Sequence, residues 1–208
     1  MDRETGRGYD KIMYRIIKRF FDILVSVIFL GLVAPWLFLI IALVIKIDSR
    51  GPVFYIQKRF GYKKKIFILY KFRTMVQGDH SVDKQGRYQE VAIDSNKITT
   101  VGRFLRKTGF DELPQFINIL LGDMSLVGPR PHPAVMDREL GSKVNNYFKR
   151  LDVKPGLTGW AQVNSLRGPA NNVKAMSKRL EYDLWYIDHQ SIYLDIKILL
   201  RTIFGNTI

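Results

Sequence analysis

The chain has 208 residues, no cysteine and 47% apolar residues, with 33 Lys and Arg against 19 Asp and Glu. This length and composition predict one compact body and exclude a disordered tail, a disulfide scaffold and a zinc finger. The net charge of +14 indicates a phosphate-bearing partner: nucleic acid, anionic lipid or a charged substrate.

Most of the charge excess lies near the N-terminus, around a long apolar segment. No residue between Ile23 and Ile45 is charged. The flanking basic residues are Lys11, Arg15, Lys18 and Arg19 before the segment, and Lys46, Arg50, Lys58, Arg59 and Lys63 to Lys65 after it. A straight helix of this segment would rise roughly 34 Å, enough to cross a hydrocarbon core of about 30 Å.

Two features favour a re-entrant membrane hairpin over a single span. Both flanks are basic, whereas a spanning helix has one clearly richer side. Pro35 lies near the middle of the segment, next to Trp36, and would kink or break a helix into halves that each reach roughly 17 Å, about one leaflet. We therefore predict a proline-broken hairpin with Pro35 and Trp36 in the membrane and the basic flanks on lipid headgroups. A single span and a buried helix of a soluble domain are the alternatives.

The chain is predicted to divide into the N-terminal segment with its hairpin, residues 1–50, and a cytosolic globular domain, residues 51–208. The fold class is α+β, with a mostly helical domain and a small β-hairpin. The β-prone runs 53–57 and 66–71 flank a turn at residues 61–63, and the polar residues 77–97 indicate a surface loop.

Near the C-terminus the apolar residues recur at helical spacing, which predicts an amphipathic helix. They are Ile192, Ile196, Leu199, Leu200 and Ile203. We expect this stripe to pack in the core or, if the chain is anchored to a membrane, to lie on the bilayer surface as an interface helix.

The common sequence signatures of metal and nucleotide sites are missing. The three histidines, His80, His132 and His189, stand far apart, and no Gly-rich phosphate loop or GxGxxG motif occurs. A structural zinc site and the common nucleotide-binding folds therefore have no support.

The run from Asp111 to Gln115 is the strongest chemical signal from the residues themselves. Pro114 predicts a helix that starts near Glu112 or Leu113, with Asp111 at or beside its N-cap. Capping alone would explain this aspartate. The same position also favours phosphate, because free N–H groups and the helix dipole point at it. A carboxylate there would suit a nucleophile toward phosphorus or a ligand for Mg²⁺.

Six segments in series resemble the monotopic phosphoglycosyltransferases, also called bacterial sugar transferases. After the hairpin come GPVF at 51–54, KFRTM at 71–75, DELPQ at 111–115, DMSLVGPRP at 123–131, KPGLTGWAQVN at 154–164 and EYD at 181–183. The chain is similar to the short, catalytic-core form, and among its members to undecaprenyl-phosphate hexose-1-phosphate transferases that prime exopolysaccharide synthesis. Ala34-Pro35 departs from the Ser-Pro often found in relatives, so a hydroxyl-assisted kink does not apply.

The resemblance implies a two-step reaction. An aspartate attacks the β-phosphorus of a UDP-sugar, expels UMP and carries the sugar phosphate, which polyprenyl phosphate then accepts. The implied cofactor is Mg²⁺, and the implied location is the cytoplasmic face of the plasma membrane in a monotopic arrangement. Glucose or galactose is favoured over an N-acetylated sugar, and a homo-oligomer is left open as a further partner.

The resemblance also implies roles for individual residues. Asp111 is the nucleophile, and Glu112 helps to hold Mg²⁺ or assists proton handling. The contacts to the donor diphosphate or the acceptor phosphate are expected from Lys71, Arg73, Arg106 and Arg130, each with a solvated surface charge as its alternative. Pro129 and Pro131 would fix the loop that aims Arg130, and Gln162 would touch uridine or sugar unless it serves packing.

A non-enzymatic alternative remains at this point. A single-span anchor could present a basic module to nucleic acid or acidic lipid without catalysis, and binding would then fall with added salt. The ordered motifs favour the transferase, with a UDP-sugar, polyprenyl phosphate and anionic lipid headgroups as partners and no nucleic acid.

Overall fold

A long helical region forms the N-terminal part of the structure. The computed structural model describes residues 2–76, 91, 95–166 and 172–205, with side chains from residue 11 onward. Helix α1 spans Asp2–Ile28, a π turn spans Phe29–Val33, and helix α2 spans Ala34–Asp48. Residues Lys11–Asp48 are long and apolar enough to cross a membrane by length and composition.

The proline is accommodated inside this helix. Pro35 has no N–H to give to the carbonyl four residues before it. The N–H of Ala34 instead bonds to the carbonyl of Phe29, five residues back, which is the wide turn of a π-helix. The predicted break at Pro35 is therefore not confirmed, because the chain stays helical through the π turn. Trp36 is 73% exposed, and re-entry into the membrane stays a prediction.

The apolar helices pack directly on the rest of the protein. Asp22 of α1 is buried and accepts hydrogen bonds from the Ser125 hydroxyl at 3.0 Å and the Leu126 N–H at 2.9 Å. The ring of Phe29 stacks on that of Phe116, with 4.2 Å between centroids. The N-terminal helical region is thus held by polar contacts of α1 and by ring packing of the π turn.

The predicted hairpin is confirmed. Strands β1, Phe54–Phe60, and β2, Ile66–Phe72, pair antiparallel with Phe54 opposite Phe72. A short 3₁₀ turn, Tyr62–Lys64, joins them. The helix α2 packs on this hairpin, where Phe72 and Leu105 share a buried cluster with Ile41 and Ile45.

The segment with the two adjacent carboxylates lies between two helices. Helix α3, Thr100–Thr108, ends at Gly109, whose φ of 78° turns the chain into a 3₁₀ turn, Phe110–Glu112. Helix α4, Gln115–Leu121, follows. The helix start predicted near Glu112 was wrong, because the N–H of Leu113 still bonds three residues back and Pro114 is the N-cap.

The remaining elements close the body around a second small sheet. Strand β3, Ser125–Val127, pairs parallel with β4, Gly156–Thr158. The helices of this part are α5, Ala134–Gly141; α6, Trp160–Val163; α7, Val173–Asp188; and α8, Ile192–Phe204. The predicted loop at residues 77–97 lies mostly outside the described residues.

Helix α8 is amphipathic, and Leu199 of the predicted stripe packs against the core, but much of the stripe is exposed. Leu194 and Ile198 are buried, whereas Ile196 is 48% and Ile203 71% exposed. The buried face of α8 therefore carries Leu194 and Ile198 and lies next to the predicted stripe. Asp195 shares the buried face because it forms an ion pair of 2.6 Å with Lys18 of α1.

Candidate active site

Four of the predicted site residues come together at the 3₁₀ turn. Glu112 forms a bidentate pair with Arg130, at 2.7 Å and 3.1 Å, and its Oε1 lies 2.6 Å from the ammonium of Lys71. Asp111 is buried, and its Oδ2 lies 3.8 Å from the same ammonium. Strand β2, the 3₁₀ turn and the loop after β3 thus each supply part of one cluster.

The two carboxyls respond to this environment in opposite ways. Burial raises the pKa of the Asp111 carboxyl above its ordinary value, against the opposing charge of Lys71. Arg130 and Arg106 also oppose the rise. Burial alone would raise the pKa of Glu112, but Arg130 and Lys71 hold it well below its usual range. Glu112 is therefore the fixed negative charge of the pair.

Asp111 is the less constrained carboxylate. Within the described parts of the chain, no hydrogen bond reaches its oxygens, whereas both oxygens of Glu112 are bonded. A carboxylate that is buried beside cations, yet not tied down by hydrogen bonds, retains lone pairs for an incoming electrophile. The cations around it would also stabilise negative charge that develops on that electrophile.

The two other predicted arginines have structural contacts. Arg106 donates from Nε to the Thr74 hydroxyl at 2.9 Å and from Nη1 to the Val91 carbonyl at 3.3 Å. Arg73 is buried and donates to the carbonyls of Ser49, at 2.6 Å, and Arg50, at 2.9 Å. These bonds tie Arg73 to the end of α2. A phosphate contact of Arg73 stays a prediction.

The loop that carries Arg130 is fixed by hydrogen bonds to its backbone. The carbonyl of Pro129 accepts from the Gly156 N–H at 2.9 Å, and that of Pro131 accepts from Arg59 at 3.1 Å. The carbonyl of Arg130 itself accepts from Arg150 at 2.6 Å. The position of the Arg130 side chain thus depends on contacts from three other parts of the chain, in addition to the two prolines.

Arg150 is the centre of a buried polar group that sequence reasoning missed. It is only 1% exposed and pairs with Asp183 at 2.9 Å. His132 lies 2.8 Å from its Nη1, and burial together with the positive charge of Arg150 lowers the pKa of His132 well below its ordinary value. The sequence signal was that Asp183 lies in a recognised segment and that His132 directly follows one. Nothing in the pattern singles out Arg150.

Gln162 is not brought to the carboxylates by any hydrogen bond among the described residues. It is buried in α6, where its Nε2 lies 3.4 Å from the Leu157 carbonyl and its Oε1 has no partner. Both a packing role and a uridine or sugar contact of Gln162 stay predictions.

The carboxylates fit a metal ion only as part of a larger set. No group of three or more His, Cys, Asp or Glu side chains in the described residues is placed to hold one. Mg²⁺ is commonly bound through one or two carboxylates together with substrate phosphates and waters. Asp111 and Glu112 match the one or two carboxylates of such a Mg²⁺ site.

The two buried carboxylates lie among cations, and the same chain carries a helix that is long and apolar enough to cross a membrane by length and composition. The family model of the bacterial sugar transferases matches residues 13–207. The chain belongs to that family.

Named relatives give further detail. The UDP-glucose:undecaprenyl-phosphate glucose-1-phosphate transferase of Klebsiella pneumoniae is 43% identical over 189 residues, 91% of this chain and 40% of that protein. A Caulobacter vibrioides protein of the same name is 40% identical over 198 residues, 95% of this chain and 72% of that protein. An exopolysaccharide production protein of Rhizobium leguminosarum bv. phaseoli is 42% identical over 192 residues, 90% of this chain and 94% of that protein. The chain spans about two fifths of the length of the Klebsiella relative.

The buried ion pair predicts a large cost for removing its cation. Arg150→Met leaves Asp183 charged and unpaired in the interior, so we expect a loss of about 3–5 kcal/mol of stability. Thermal unfolding in neutral detergent measures it. Lys149→Met, a change of the same kind at the exposed neighbour, should alter stability by less than about 0.5 kcal/mol. Equal melting temperatures for the two variants would contradict a structural role for the pair.

Proposed function

We propose that this protein transfers a sugar 1-phosphate from a UDP-sugar to polyprenyl phosphate through a covalent intermediate on Asp111. The observation that carries the proposal is the buried Asp111 carboxylate, 3.8 Å from Lys71 and beside the Glu112–Arg130 pair. Family membership and the names of the relatives support it.

In the first step an oxygen of Asp111 attacks the β-phosphorus. The bond between this phosphorus and the bridging oxygen breaks, UMP leaves with the electron pair, and an acyl phosphate to the sugar remains on the enzyme. The positive charges of Lys71 and Arg130 stabilise the negative charge on the phosphoryl oxygens and on the departing UMP. The raised pKa of Asp111 increases its basicity, and with it its strength as a nucleophile once ionised.

In the second step an oxygen of polyprenyl phosphate attacks the same phosphorus. The bond to Asp111 breaks, the free carboxylate is restored, and polyprenyl diphosphate sugar is released. The second pKa of a phosphate monoester lies near 6, so the acceptor needs little help from a general base. Division into two steps also means that a soluble donor and a lipid acceptor need not occupy the site together.

Glu112 is the electrostatic partner in this proposal. It occupies both Lys71 and Arg130 in the structure, at 2.6 Å and 2.7 Å. A donor diphosphate would compete for the same two cations, so that Glu112 keeps them in place and compensates their charge until the substrate arrives. Mg²⁺, held by Asp111 and Glu112 together with the diphosphate, would neutralise further negative charge.

The proposed donor carries a hexose, and glucose has the most direct support. Both transferases described above are named for UDP-glucose. An Aeromonas hydrophila relative of 40% identity is named for UDP-N-acetylgalactosamine, so identity alone does not separate the sugars. The product would begin an exopolysaccharide, in line with the name of the Rhizobium relative.

The proposed location is the cytoplasmic face of the inner membrane, with the apolar helices re-entrant and the protein monotopic. The flanks of the apolar segment are basic on both sides, which suits one membrane face. The π turn next to Pro35 is a place where a helix kinks. The exposed apolar face of α8 would then rest on the bilayer surface.

Replacing the nucleophile tests the covalent step. Wild-type protein with UDP-glucose, Mg²⁺ and no acceptor should release one UMP per enzyme and gain the mass of the sugar phosphate. Asp111→Asn should lower the rate of UMP release by on the order of a thousandfold or more, since the amide is not a nucleophile here. Mass spectrometry and a UMP assay measure the two effects, with UDP-galactose and UDP-N-acetylgalactosamine as parallel donors.

Asp188→Asn is the matched control, because it makes the same change at an exposed aspartate outside the proposed site. It should retain wild-type activity. Full UMP release by Asp111→Asn would refute the covalent mechanism, and no release by wild type with any donor would favour a basic binding module.

The charge of Lys71 predicts a shift in pH dependence. Asp111 must be ionised to attack, and Lys71 lowers its pKa, so Lys71→Met should raise that pKa and move the acidic limb of the pH profile to higher pH. An opposite charge this close typically shifts a carboxyl by about 1 unit or more. Single-turnover UMP release without acceptor measures the limb. Lys58→Met, an exposed lysine on β1, should leave it in place, and an unmoved limb in Lys71→Met would contradict the assignment.

The absence of native cysteine allows a direct test of topology. Lys11→Cys and Lys58→Cys, made singly, place one exposed thiol before and one after the apolar segment. A membrane-impermeant maleimide should label both thiols from the cytoplasmic side of oriented vesicles. Labelling of the two thiols from opposite sides would show a single span instead of re-entry.

A further inference from the structure

A cavity of about 280 Å³ lies between the basic end of α1 and the body of the protein. Arg15, Lys18 and Arg19 of α1 line one side, and Lys154 lines the other. None of the residues that line it belongs to the cluster around Asp111. It is therefore a separate place where positive charge gathers, and nothing in the reaction described above uses it.

Two of these cations are already bound within the protein. The ammonium of Lys18 pairs with Asp195 at 2.6 Å. Arg19 donates to the carbonyls of Ile119 and Leu120, at 2.6 Å and 2.8 Å, near the end of α4. Both contacts hold α1 against the body, so these side chains shape the cavity and add to its positive potential.

Arg15 and Lys154 have no such partners. Among the described residues, neither side chain makes a hydrogen bond or an ion pair. Asp22 and Asp152 also line the cavity; the carboxylate of Asp22 accepts from Ser125 and Leu126, and Asp152 is exposed. The cavity thus contains two cations without a protein partner among the described residues, of which Arg15 is exposed and Lys154 is partly buried.

The ammonium of Lys154 lies beside another positive charge. The Nζ of Lys154 and the Nη2 of Arg19 are 3.5 Å and 3.4 Å from the point where a Cβ on Gly122 would lie, so the two groups are neighbours. Burial and the charge of Arg19 lower the pKa of Lys154, and Asp22 and Asp123 offset this only in part. An anion between the two groups would remove this repulsion.

The position of the cavity along α1 indicates which anion is available. The cavity spans the last charged turns of the helix, and the uncharged segment begins at Ile23. In a membrane-embedded helix this boundary lies at the depth of the lipid phosphates. Exposed apolar side chains, such as Phe20 and Leu24, adjoin it on α1 and would face acyl chains.

We propose that this cavity binds the phosphate of a membrane lipid headgroup through Lys154 and Arg15. The bound lipid would fix the body of the protein at a set depth, because Lys154 lies two residues before Gly156, whose N–H bonds to the Pro129 carbonyl in the Arg130 loop. The proposal rests on the membrane location proposed above but not on the reaction.

Lipid binding to the full chain in neutral detergent tests the proposal, with short-chain phosphatidylglycerol as the probe and native mass spectrometry as the readout. Lys154→Gln should raise the dissociation constant about fivefold, the factor expected for one cation near an anionic lipid. Arg15→Gln should do the same. Lys149→Gln, which removes the same charge from an exposed position outside the cavity, should change the dissociation constant by less than about twofold.

A second arm of the experiment uses polyprenyl phosphate to distinguish a structural phospholipid from the acceptor as the source of the bound phosphate. An unchanged KM for polyprenyl phosphate in Lys154→Gln identifies a structural phospholipid as the ligand, and a fivefold higher KM identifies the acceptor. Equal phosphatidylglycerol binding by Lys154→Gln and Lys149→Gln, or no binding by wild type, would overturn the site. UMP release is measured on the same preparations, so that the absence of a lipid site can be distinguished from a failure of the proposed reaction.

Discussion

The ion pairs of Glu112 hold the proposed catalytic cluster together. Lys71 lies 41 residues before Glu112 in the chain, and Arg130 lies 18 residues after it, yet both contact the same carboxylate. A charge left unpaired in a buried site costs several kcal/mol, so these ion pairs strongly favour keeping the three segments together. Asp111 is placed beside its cations as a consequence, because it precedes Glu112 in the same 3₁₀ turn.

Burial strengthens the effect of the cations on the pKa values of the two carboxyls. In water, Lys71 would affect a carboxylate 3.8 Å away only weakly, whereas in a partly desolvated site the same charge matters several times more. The pKa values of the two neighbouring carboxyls therefore move apart, since Glu112 stays ionised and the pKa of Asp111 rises. One member of the pair holds the cations, and the other is free to react.

The apolar helix and the site share structural elements. Asp22 of α1 bonds to β3, and the strand leads directly into the loop that carries Arg130. The π turn packs Phe29 on Phe116 of α4, the helix that follows the carboxylates. If the helix inserts in a bilayer as proposed, a change in its depth would act on the proposed catalytic residues through α4 and β3.

The sequence by itself determined the features that depend on local pattern: the apolar segment, the β-hairpin, the family motifs and the Asp111–Glu112 pair. It misplaced the start of α4, because the local turn at Gly109 and the 3₁₀ turn delay the helix. It also missed Leu194 and Ile198 as the buried face of α8, because packing on the core and the Lys18–Asp195 pair decide that face through contacts between distant parts of the chain. Only the tertiary structure separated Arg130, which contacts Glu112, from Arg73, which holds the end of α2. Both arginines lie in family motifs, and the difference arises from where each guanidinium finds an acceptor, which sequence spacing does not encode.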